Sequence, residues 1–210
     1  MSGKHALREE NVFALLENTR AKDNEPESLL FADPVVEICC YSGEELGRAL
    51  TAIDKYRKDG YYLCGYMNYE AAYFIVDKMD FPLPLNQDYP MLHFYAFRDV
   101  KKLTSQEASA FMKRVAQNDV PVAIQNIELN TNNADYIKAI SKIQAYILDG
   151  ESYQINFTVK YRFQYQGTPV SLYRRLRERQ RVEFGALLKF PEFGVLSLSP
   201  ELFLRKRGIY

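Results

Sequence analysis

The sequence predicts an α+β fold, in which helices are interspersed among antiparallel strands. Three observations support this prediction. Apolar residues recur at helical spacing over residues 134–148, apolar and polar residues alternate without a break over 153–165, and two apolar segments flank a turn at 191–194. A helix that continues into a strand, with a hairpin after it, indicates mixed secondary structure.

The helix predicted over residues 134–148 has signals at both ends. Asn132 and Asn133 can cap its first turn, because asparagine side chains accept hydrogen bonds from free backbone N–H groups. Asp149 and Gly150 end it, since glycine readily takes the positive φ that follows a helix C-terminus. The apolar positions that recur within it are Tyr136, Ile137, Ile140, Ile143 and Ile147.

The stretch after this helix predicts one long strand. The alternation covers residues 153–165, far more than the ~5–6 residues of an average strand. We expect its apolar face to be buried, because a marginally stable domain cannot leave so much apolar surface in water. That face consists of Tyr153, Ile155, Phe157, Val159, Tyr161, Phe163 and Tyr165, and the opposite, polar face begins with Gln154, Asn156 and Thr158.

The rest of the chain predicts shorter elements. An apolar run near the start predicts a core strand whose polar end exposes Glu17, Asn18 and Thr19. Ser42 and Glu45 have the spacing of a capping box at the start of a helix. Further strands are predicted at 29–31, 35–41, 61–66, 91–97, 122–129, 184–190 and 195–199, and further helices at 105–117 and 170–180.

Composition and charge argue against several functional classes. The 27 basic and 27 acidic residues cancel, so neither a nucleic acid nor an anionic membrane is an expected partner. No apolar run approaches the ~18–20 residues that span a bilayer, and residues 1–10 lack the apolar core of a secretion signal. Three cysteines give neither a disulfide framework nor a metal-ligand spacing, so we expect a cytoplasmic location. The arginines of 174–181 are interpreted as a solvated helix face, with an anion or partner-docking surface as the alternative.

Residues 134–163, ADYIKAISKIQAYILDGESYQINFTVKYRF, carry a family resemblance. They are similar to the start of the chorismate-binding domain in the family formed by component I of anthranilate synthase and of aminodeoxychorismate synthase. Upstream, the strings FALLENTR, LLFADP, GYMNYEAAYFI and PMLHFYAF resemble the N-terminal region of the same family. The strings YQINF and NYEAAY resemble the aminodeoxychorismate branch more than the anthranilate branch.

The resemblance implies a particular form of the α+β fold, a sandwich of two large antiparallel β sheets with helices outside. Residues 1–125 would form the N-terminal region, and residues 126–210 would begin the chorismate-binding domain. The resemblance covers nearly all of this chain but only the first half of a typical member, so we expect a truncated form of the fold. In the family, chorismate binds beneath the sheets together with magnesium.

A second string, LSLSPELFL at 196–204, is similar to the Ser-Pro-Glu signature of chorismate-utilising enzymes. The resemblance assigns Glu201 to proton transfer at the departing 4-hydroxyl of chorismate. A carboxyl held between apolar strands is partly desolvated, which raises its pKa and lets it serve as a general acid. The alternative is an exposed glutamate in a turn, without a catalytic role.

Catalysis in this family also requires groups that the 210 residues do not include. In the aminodeoxychorismate branch, the amination nucleophile is a lysine in a Pro-Ile-Lys-Gly-Thr string downstream of Ser-Pro-Glu, and acidic segments bind magnesium. These segments do not occur in the sequence, so the resemblance implies that Glu201 lacks its partner and that the magnesium ligands are absent from this chain. We therefore expect the chain alone to be inactive.

The resemblance implies two further sites. Gln154, Asn156 and Thr158 would point towards the interior where chorismate binds. In relatives, a Leu-Leu-Glu-Ser string helps to build a pocket for tryptophan, and here that string ends in Glu17 and Asn18, with asparagine in place of serine. The alternative for this segment is a plain strand end.

The function implied by the resemblance is that of the aminodeoxychorismate branch. The reaction replaces the 4-hydroxyl of chorismate with ammonia, which a glutamine amidotransferase partner supplies, on the path to folate. Two alternatives stay open. One is anthranilate synthase component I, and the other is a non-catalytic module that binds an effector or a partner.

Overall fold

A computed structural model describes residues 12–21, 25, 27–76 and 88–208 of the chain. The chain divides into two compact units. Unit 1 comprises Met1–Asn118 and Pro169–Tyr210, and unit 2 comprises Asp119–Thr168. The predicted boundary between residues 125 and 126 concerns family domains rather than compact units, and it stays a prediction.

Helices are interspersed among the strands along the described residues. The strands of unit 1 are β1 (Phe13–Glu17), β2 (Ser28–Ala32), β3 (Val36–Cys40), β4 (Tyr62–Met67), β5 (Leu92–Phe97), β6 (Lys101–Leu103), β9 (Phe184–Lys189) and β10 (Gly194–Ser199). Its helices are α1 (Gly43–Lys58), α2 (Ala72–Ile75), α3 (Ser105–Val115) and α5 (Pro169–Arg179), with a short 3₁₀ helix at Tyr69–Ala71. Unit 2 contains β7 (Ala123–Leu129), α4 (Asn133–Leu148) and β8 (Tyr161–Gln166). In the described ranges, no helix combines the length and the apolar content needed to cross a membrane.

The larger sheet of unit 1 has five strands in the order β10-β9-β1-β2-β6, and every neighbouring pair is antiparallel. β1 is the central strand and pairs with β2 on one side and β9 on the other. Phe13, Ala14 and Leu15 are all buried, as expected for a short apolar run that is covered on both faces. The predicted core strand near the start of the chain is therefore confirmed.

The smaller sheet of unit 1 has the order β3-β5-β4 and is also antiparallel. Helix α1 packs on it, because Leu46 and Ala49 are buried in one cluster with Ile38, Met91 and Leu92. Mixed α and β structure with antiparallel sheets is thus confirmed.

The capping box expected at the start of α1 does not form. Ser42 is the N-cap residue, but its side chain makes no capping hydrogen bond. The Glu45 carboxylate instead accepts a hydrogen bond from the backbone N–H of Tyr41 at 3.0 Å. Residue spacing alone cannot decide whether the Glu45 carboxylate accepts from the N–H of Ser42, as in a capping box, or from that of Tyr41.

Two apolar clusters lie against the larger sheet. On one face, Ala14, Phe31 and Leu188 pack with Tyr95 and Phe97 of the smaller sheet. The opposite face is covered by α3 and α5, and the buried cluster there includes Phe13, Leu15, Phe111, Met112, Val170 and Tyr173.

In unit 2, the predicted helix and both of its ends are confirmed. The Asn132 side chain accepts a hydrogen bond from the Asp135 N–H at 2.9 Å, and Gly150 has a φ of 78°. β7 and β8 pair antiparallel, with an irregularity between Gln125 and Glu128.

The long strand predicted over 153–165 is wrong in the described structure, which forms a strand only at Tyr161–Gln166. The expected burial is wrong as well, since Tyr153 is 95% and Phe157 42% exposed, and Ile155, Tyr161, Phe163 and Tyr165 are also exposed. None of residues 119–168 is buried. Alternation favours a strand only where a neighbour supplies hydrogen bonds and a covering surface, and β7 pairs only with residues 161–166.

Candidate functional site

Glu17, the last residue of β1, is buried rather than exposed as the sequence predicts. Arg177 of α5 donates a hydrogen bond from Nη2 to Glu17 Oε1, and the Tyr173 hydroxyl donates to Oε2 at 3.1 Å. Alternation along β1 places Glu17 on the same face as Phe13 and Leu15, which is the face that α3 and α5 cover. Both carboxylate oxygens therefore have partners within unit 1.

Arg177 belongs to the arginine run that the sequence suggests is a solvated helix face, and for this residue that interpretation is wrong. Its side chain is only 13% exposed, and Nη1 donates to Ser109 Oγ at 3.0 Å. Its Nε is buried and has no hydrogen-bond partner among the described residues. Tyr173 and Arg177 are four residues apart and so share one helix face, which is the signal that could have identified the buried arginine.

Burial raises the pKa of the Glu17 carboxyl above its ordinary value, while Arg177 and the Tyr173 hydroxyl act in the opposite direction. Burial, together with the neighbouring Glu17, also raises the pKa of Tyr173. Tyr173 therefore stays protonated and donates its hydrogen bond at neutral pH. The arrangement joins β1 to α5, and it gives the end of β1 a defined orientation.

Thr19 is also buried, although the sequence predicts exposure. Its Oγ1 donates to the Val182 carbonyl at 3.0 Å and accepts from the Val182 N–H at 2.7 Å. An open pocket of about 230 Å³ lies beside this contact and the ion pair. The residues that line it are Thr19, Ala21, Ser105, Ser109, Arg177, Glu178 and Arg181. The lining carries both signs of charge and would suit only a small polar molecule.

Asn18 is half-buried, and its side chain is engaged in a local turn. Its Oδ1 accepts from the Arg20 N–H at 2.9 Å, and its Nδ2 donates to Glu27 Oε2 at 2.5 Å. Glu17, by contrast, is directed towards Tyr173 and Arg177. Within the described residues the two side chains therefore make separate contacts, and a tryptophan pocket built from Glu17 and Asn18 stays a prediction.

Glu201 follows β10 in unit 1 and is exposed. Its backbone N–H donates to Ser199 Oγ at 3.2 Å, and the Ser199 hydroxyl donates to the Glu201 carbonyl at 3.0 Å. These contacts hold the Ser-Pro-Glu turn together. The described residues do not bury the carboxyl, so the desolvation expected for a general acid is not provided by this part of the chain, and the catalytic role stays a prediction.

Gln154, Asn156 and Thr158 lie in unit 2, and all three are exposed. The Gln154 amide donates to Asn156 Oδ1 at 3.4 Å, so these two side chains are near each other. They belong to a stretch without strand structure, and Glu201 belongs to the other unit. Their proposed role in binding chorismate is not tested by this arrangement.

The described residues do not fit a magnesium site. They contain no group of three or more histidine, cysteine, aspartate or glutamate side chains that could hold a metal ion. No catalytic step can therefore be assigned to a metal through these residues.

A second polar contact, between Glu37, His93 and Tyr95, is absent from the sequence prediction. His93 Nε2 lies 2.7 Å from Glu37 Oε1, and the Tyr95 hydroxyl donates to the same oxygen at 3.0 Å. The three residues meet because β3 and β5 pair in a register that sets Glu37 opposite Tyr95. No local pattern in the sequence specifies that register.

Comparison with known proteins identifies one family. The family described as chorismate binding enzyme matches residues 13–209, which is nearly the whole chain. The match includes both β1, which carries Glu17, and the segment that carries Glu201.

Individual relatives match shorter stretches. The chain is 35% identical over 78 residues to aminodeoxychorismate synthase component 1 of Klebsiella aerogenes, which covers 37% of this chain and 17% of that protein. It is 32% identical over 73 residues to aminodeoxychorismate synthase component 1 of Bacillus subtilis (strain 168), covering 35% of this chain and 16% of that protein. It is 24% identical over 151 residues to anthranilate synthase component 1 of Saccharolobus solfataricus, covering 68% of this chain and 35% of that protein. The matched stretches thus span between a sixth and about a third of these relatives' lengths.

Proposed function

Because the chain belongs to the family of chorismate binding enzymes, we propose that it serves the aminodeoxychorismate synthase reaction. Ammonia replaces the 4-hydroxyl of chorismate, giving 4-amino-4-deoxychorismate and water. The observation that carries this choice of branch is the 35% identity to the Klebsiella aerogenes enzyme, compared with 24% to the Saccharolobus solfataricus anthranilate synthase. The strings YQINF and NYEAAY favour the same branch.

The proposed fold is the two-sheet β sandwich of this family, of which the chain would form a truncated part. Its support is the apolar cluster that the two sheets of unit 1 share, with Leu188 from one sheet and Tyr95 and Phe97 from the other. Unit 2 would add its strands to such a sandwich only when a covering surface is present, because it buries none of its own residues.

In the proposed reaction Glu201 donates a proton to the departing 4-hydroxyl. A general acid must be protonated at the working pH, which for a carboxyl requires a desolvated setting. Glu201 is exposed in the described structure, so the proposal requires that bound chorismate or further residues cover it. Gln154, Asn156 and Thr158 are proposed to contribute hydrogen bonds to the substrate.

The proposed partners are chorismate and a glutamine amidotransferase subunit that delivers ammonia. Magnesium in the complete enzyme would be held by residues other than those described, since these offer no suitable cluster. The 210-residue chain alone is therefore expected to be inactive. We also propose a cytoplasmic location, where the proposed reaction on the path to folate would take place.

The experiment combines the chain with the C-terminal half of the Bacillus subtilis relative, chorismate, ammonium and magnesium, and identifies the product by mass spectrometry. We expect 4-amino-4-deoxychorismate from the mixture and none from the chain alone. Glu201→Gln should reduce the rate by about 100-fold or more, as expected for loss of a general acid. The matched control is Glu192→Gln, which changes another exposed glutamate and should leave the rate unchanged.

Other outcomes would count against the proposal. Anthranilate as the product would favour the alternative branch, which is supported by the match to 68% of this chain in the Saccharolobus solfataricus protein. Turnover by the chain alone would show that its catalytic groups are misassigned. Full activity of Glu201→Gln would remove Glu201 from the mechanism.

The non-catalytic alternative is tested through tryptophan. If Glu17 and Asn18 retain an effector pocket, calorimetry should detect tryptophan binding by the chain, and Asn18→Ala should abolish it. Asn156→Ala, an exposed asparagine in unit 2, is the control. Absence of heat at millimolar ligand would leave the strand end with a structural role only.

A further inference from the structure

His93 lies where the two sheets of unit 1 meet. It is on β5 of the smaller sheet, and its ring stacks on Phe190, with ring centroids 4.3 Å apart and planes 24° from parallel. Phe190 begins the turn between β9 and β10 of the larger sheet, and its N–H donates to the Phe193 carbonyl at 2.9 Å. One imidazole therefore contacts the β9–β10 turn directly.

The two nitrogens of this ring are in different situations. Nε2 lies 2.7 Å from Glu37 Oε1, and because a carboxylate only accepts hydrogen bonds, Nε2 carries the proton. Nδ1 is buried and has no hydrogen-bond partner among the described residues. A second proton on this ring would have to reside on Nδ1, where it would be a buried donor without an acceptor.

The surroundings disfavour the charged ring. The His93 side chain is 5% exposed, whereas that of Glu37 is 51% exposed. Water therefore weakens the attraction between the Glu37 carboxylate and a protonated imidazole, but it does little to solvate the buried ring. Burial accordingly lowers the pKa of His93 below its ordinary value of 6.5, with Glu37 acting in the opposite direction. The polar groups that face His93 from the neighbouring strands are Glu37 and Cys39 on β3, Cys64 and Tyr66 on β4, and Tyr95 on β5, with Glu45 close to Cys39.

The cysteine and tyrosine side chains among these groups stay uncharged at neutral pH, because the pKa of each is raised. Burial raises the pKa of Cys64 to about 12 and that of Tyr66 to about 12, and it raises the pKa of Cys39 as well. The turn itself presents the apolar rings of Phe190 and Phe193. No neighbour among them offers Nδ1 an acceptor.

We propose that His93 is a proton-dependent latch, which holds the β9–β10 turn against the smaller sheet while it is neutral and loosens it when protonated. The direction of this pH dependence follows from the lowered pKa of His93. The contribution of His93 to the contact is complete above the ordinary pKa and is lost as the pH falls towards the pKa of the folded state. The latch does not depend on the proposed reaction.

The test uses the composition of the chain, which has only two histidines, His5 and His93. In the His5→Gln chain, the imidazole C–H resonances in an NMR titration report His93 alone. We expect a midpoint below 6.5 and nitrogen shifts of the tautomer protonated on Nε2. A midpoint at or above this value, or the opposite tautomer, would overturn the proposal.

Loosening of the turn is measured by hydrogen exchange at the Phe190 amide, expressed as protection relative to an unfolded peptide. Between about pH 8 and a pH below the measured His93 midpoint, protection should fall, by up to about tenfold for each pKa unit by which that midpoint lies below 6.5. His93→Phe in the same background keeps an aromatic ring but cannot be protonated, and its protection should not change. An equal fall in both proteins would overturn the latch.

A second variant keeps the proposal testable even if His93→Phe does not fold. Glu37→Gln retains an acceptor for Nε2 but removes the negative charge, so the His93 midpoint should move to still lower pH. An unchanged midpoint would show that Glu37 does not contact the ring as described.

Discussion

Arg177 and Glu17 form a buried ion pair although 160 positions of the chain separate them. The pair joins helix α5 to the central strand of the larger sheet, and Tyr173 completes the coordination of the carboxylate. Their contact gives Glu17, and with it the Leu-Leu-Glu-Asn segment, a structural role within unit 1.

Arg177→Met should therefore destabilise the chain by about 3–5 kcal/mol, because it leaves the buried Glu17 without its charge partner. Addition of Glu17→Gln to this variant should recover part of the loss. Arg179→Met, on the exposed side of the same helix, is the control and should change stability by less than about 0.5 kcal/mol. Urea unfolding measures all three, and equal effects of the two arginine changes would contradict the buried pair.

A comparison of Phe157 with Phe97 tests whether the long strand predicted over residues 153–165 forms. Phe157 is 42% exposed and Phe97 is 1% exposed, so Phe157→Ala should cost less than about 1 kcal/mol, whereas Phe97→Ala should cost about 3–5 kcal/mol. The measurement is the midpoint of thermal or urea unfolding. A loss at Phe157 as large as that at Phe97 would mean that residues 153–160 form a buried strand in solution.

Gly65 on β4 should not tolerate a side chain. A Cβ at this position would lie 2.1 Å from the His93 carbonyl oxygen and 2.5 Å from Phe94 Cα, both backbone atoms that cannot move aside. Gly65→Ala should therefore destabilise the smaller sheet by at least about 2 kcal/mol. Gly47→Ala is the contrast, because it lies in helix α1 with open space around it and should stabilise the chain by about 0.5–1 kcal/mol. The opposite order of stabilities in urea would refute this account.

Thr104 and Ser42 both precede helices, but only Thr104 makes a capping box, with Glu107 as its partner. Thr104→Ala should cost about 1 kcal/mol, and Ser42→Ala should cost clearly less, because no side-chain cap is lost there. Differences in unfolding free energy between the two variants measure this effect. A larger loss for Ser42→Ala would indicate that its hydroxyl caps α1 in solution.

Helices, strands and turns were predicted correctly where signals within a few neighbouring residues specify them. Asn132 and Gly150 set the ends of α4 through hydrogen bonds and backbone conformation that involve only nearby residues. The apolar run at β1 and the turn between β9 and β10 were equally recognisable, since burial on both faces and a tight turn each have a compositional signal. The Ser-Pro-Glu string also identified the segment that carries Glu201.

Contacts between distant segments could not be predicted in this way. The alternation at 153–165 is compatible with a long strand, but it does not specify which neighbour would pair with it, and in unit 2 β7 pairs only with residues 161–166. In the same way, nothing near Glu17 in the sequence indicates that Arg177 pairs with it, and nothing near His93 indicates that Glu37 accepts a hydrogen bond from its ring.

The sequence by itself determined the family, the mixed α and β content and most element boundaries, because caps, turns and apolar periodicity act over a few residues. Only the tertiary structure decided which polar side chains are buried and with which partners. Burial of Glu17, Arg177 and His93 depends on strand register and on the packing of helices against sheets, and both are set by contacts between residues far apart in the chain.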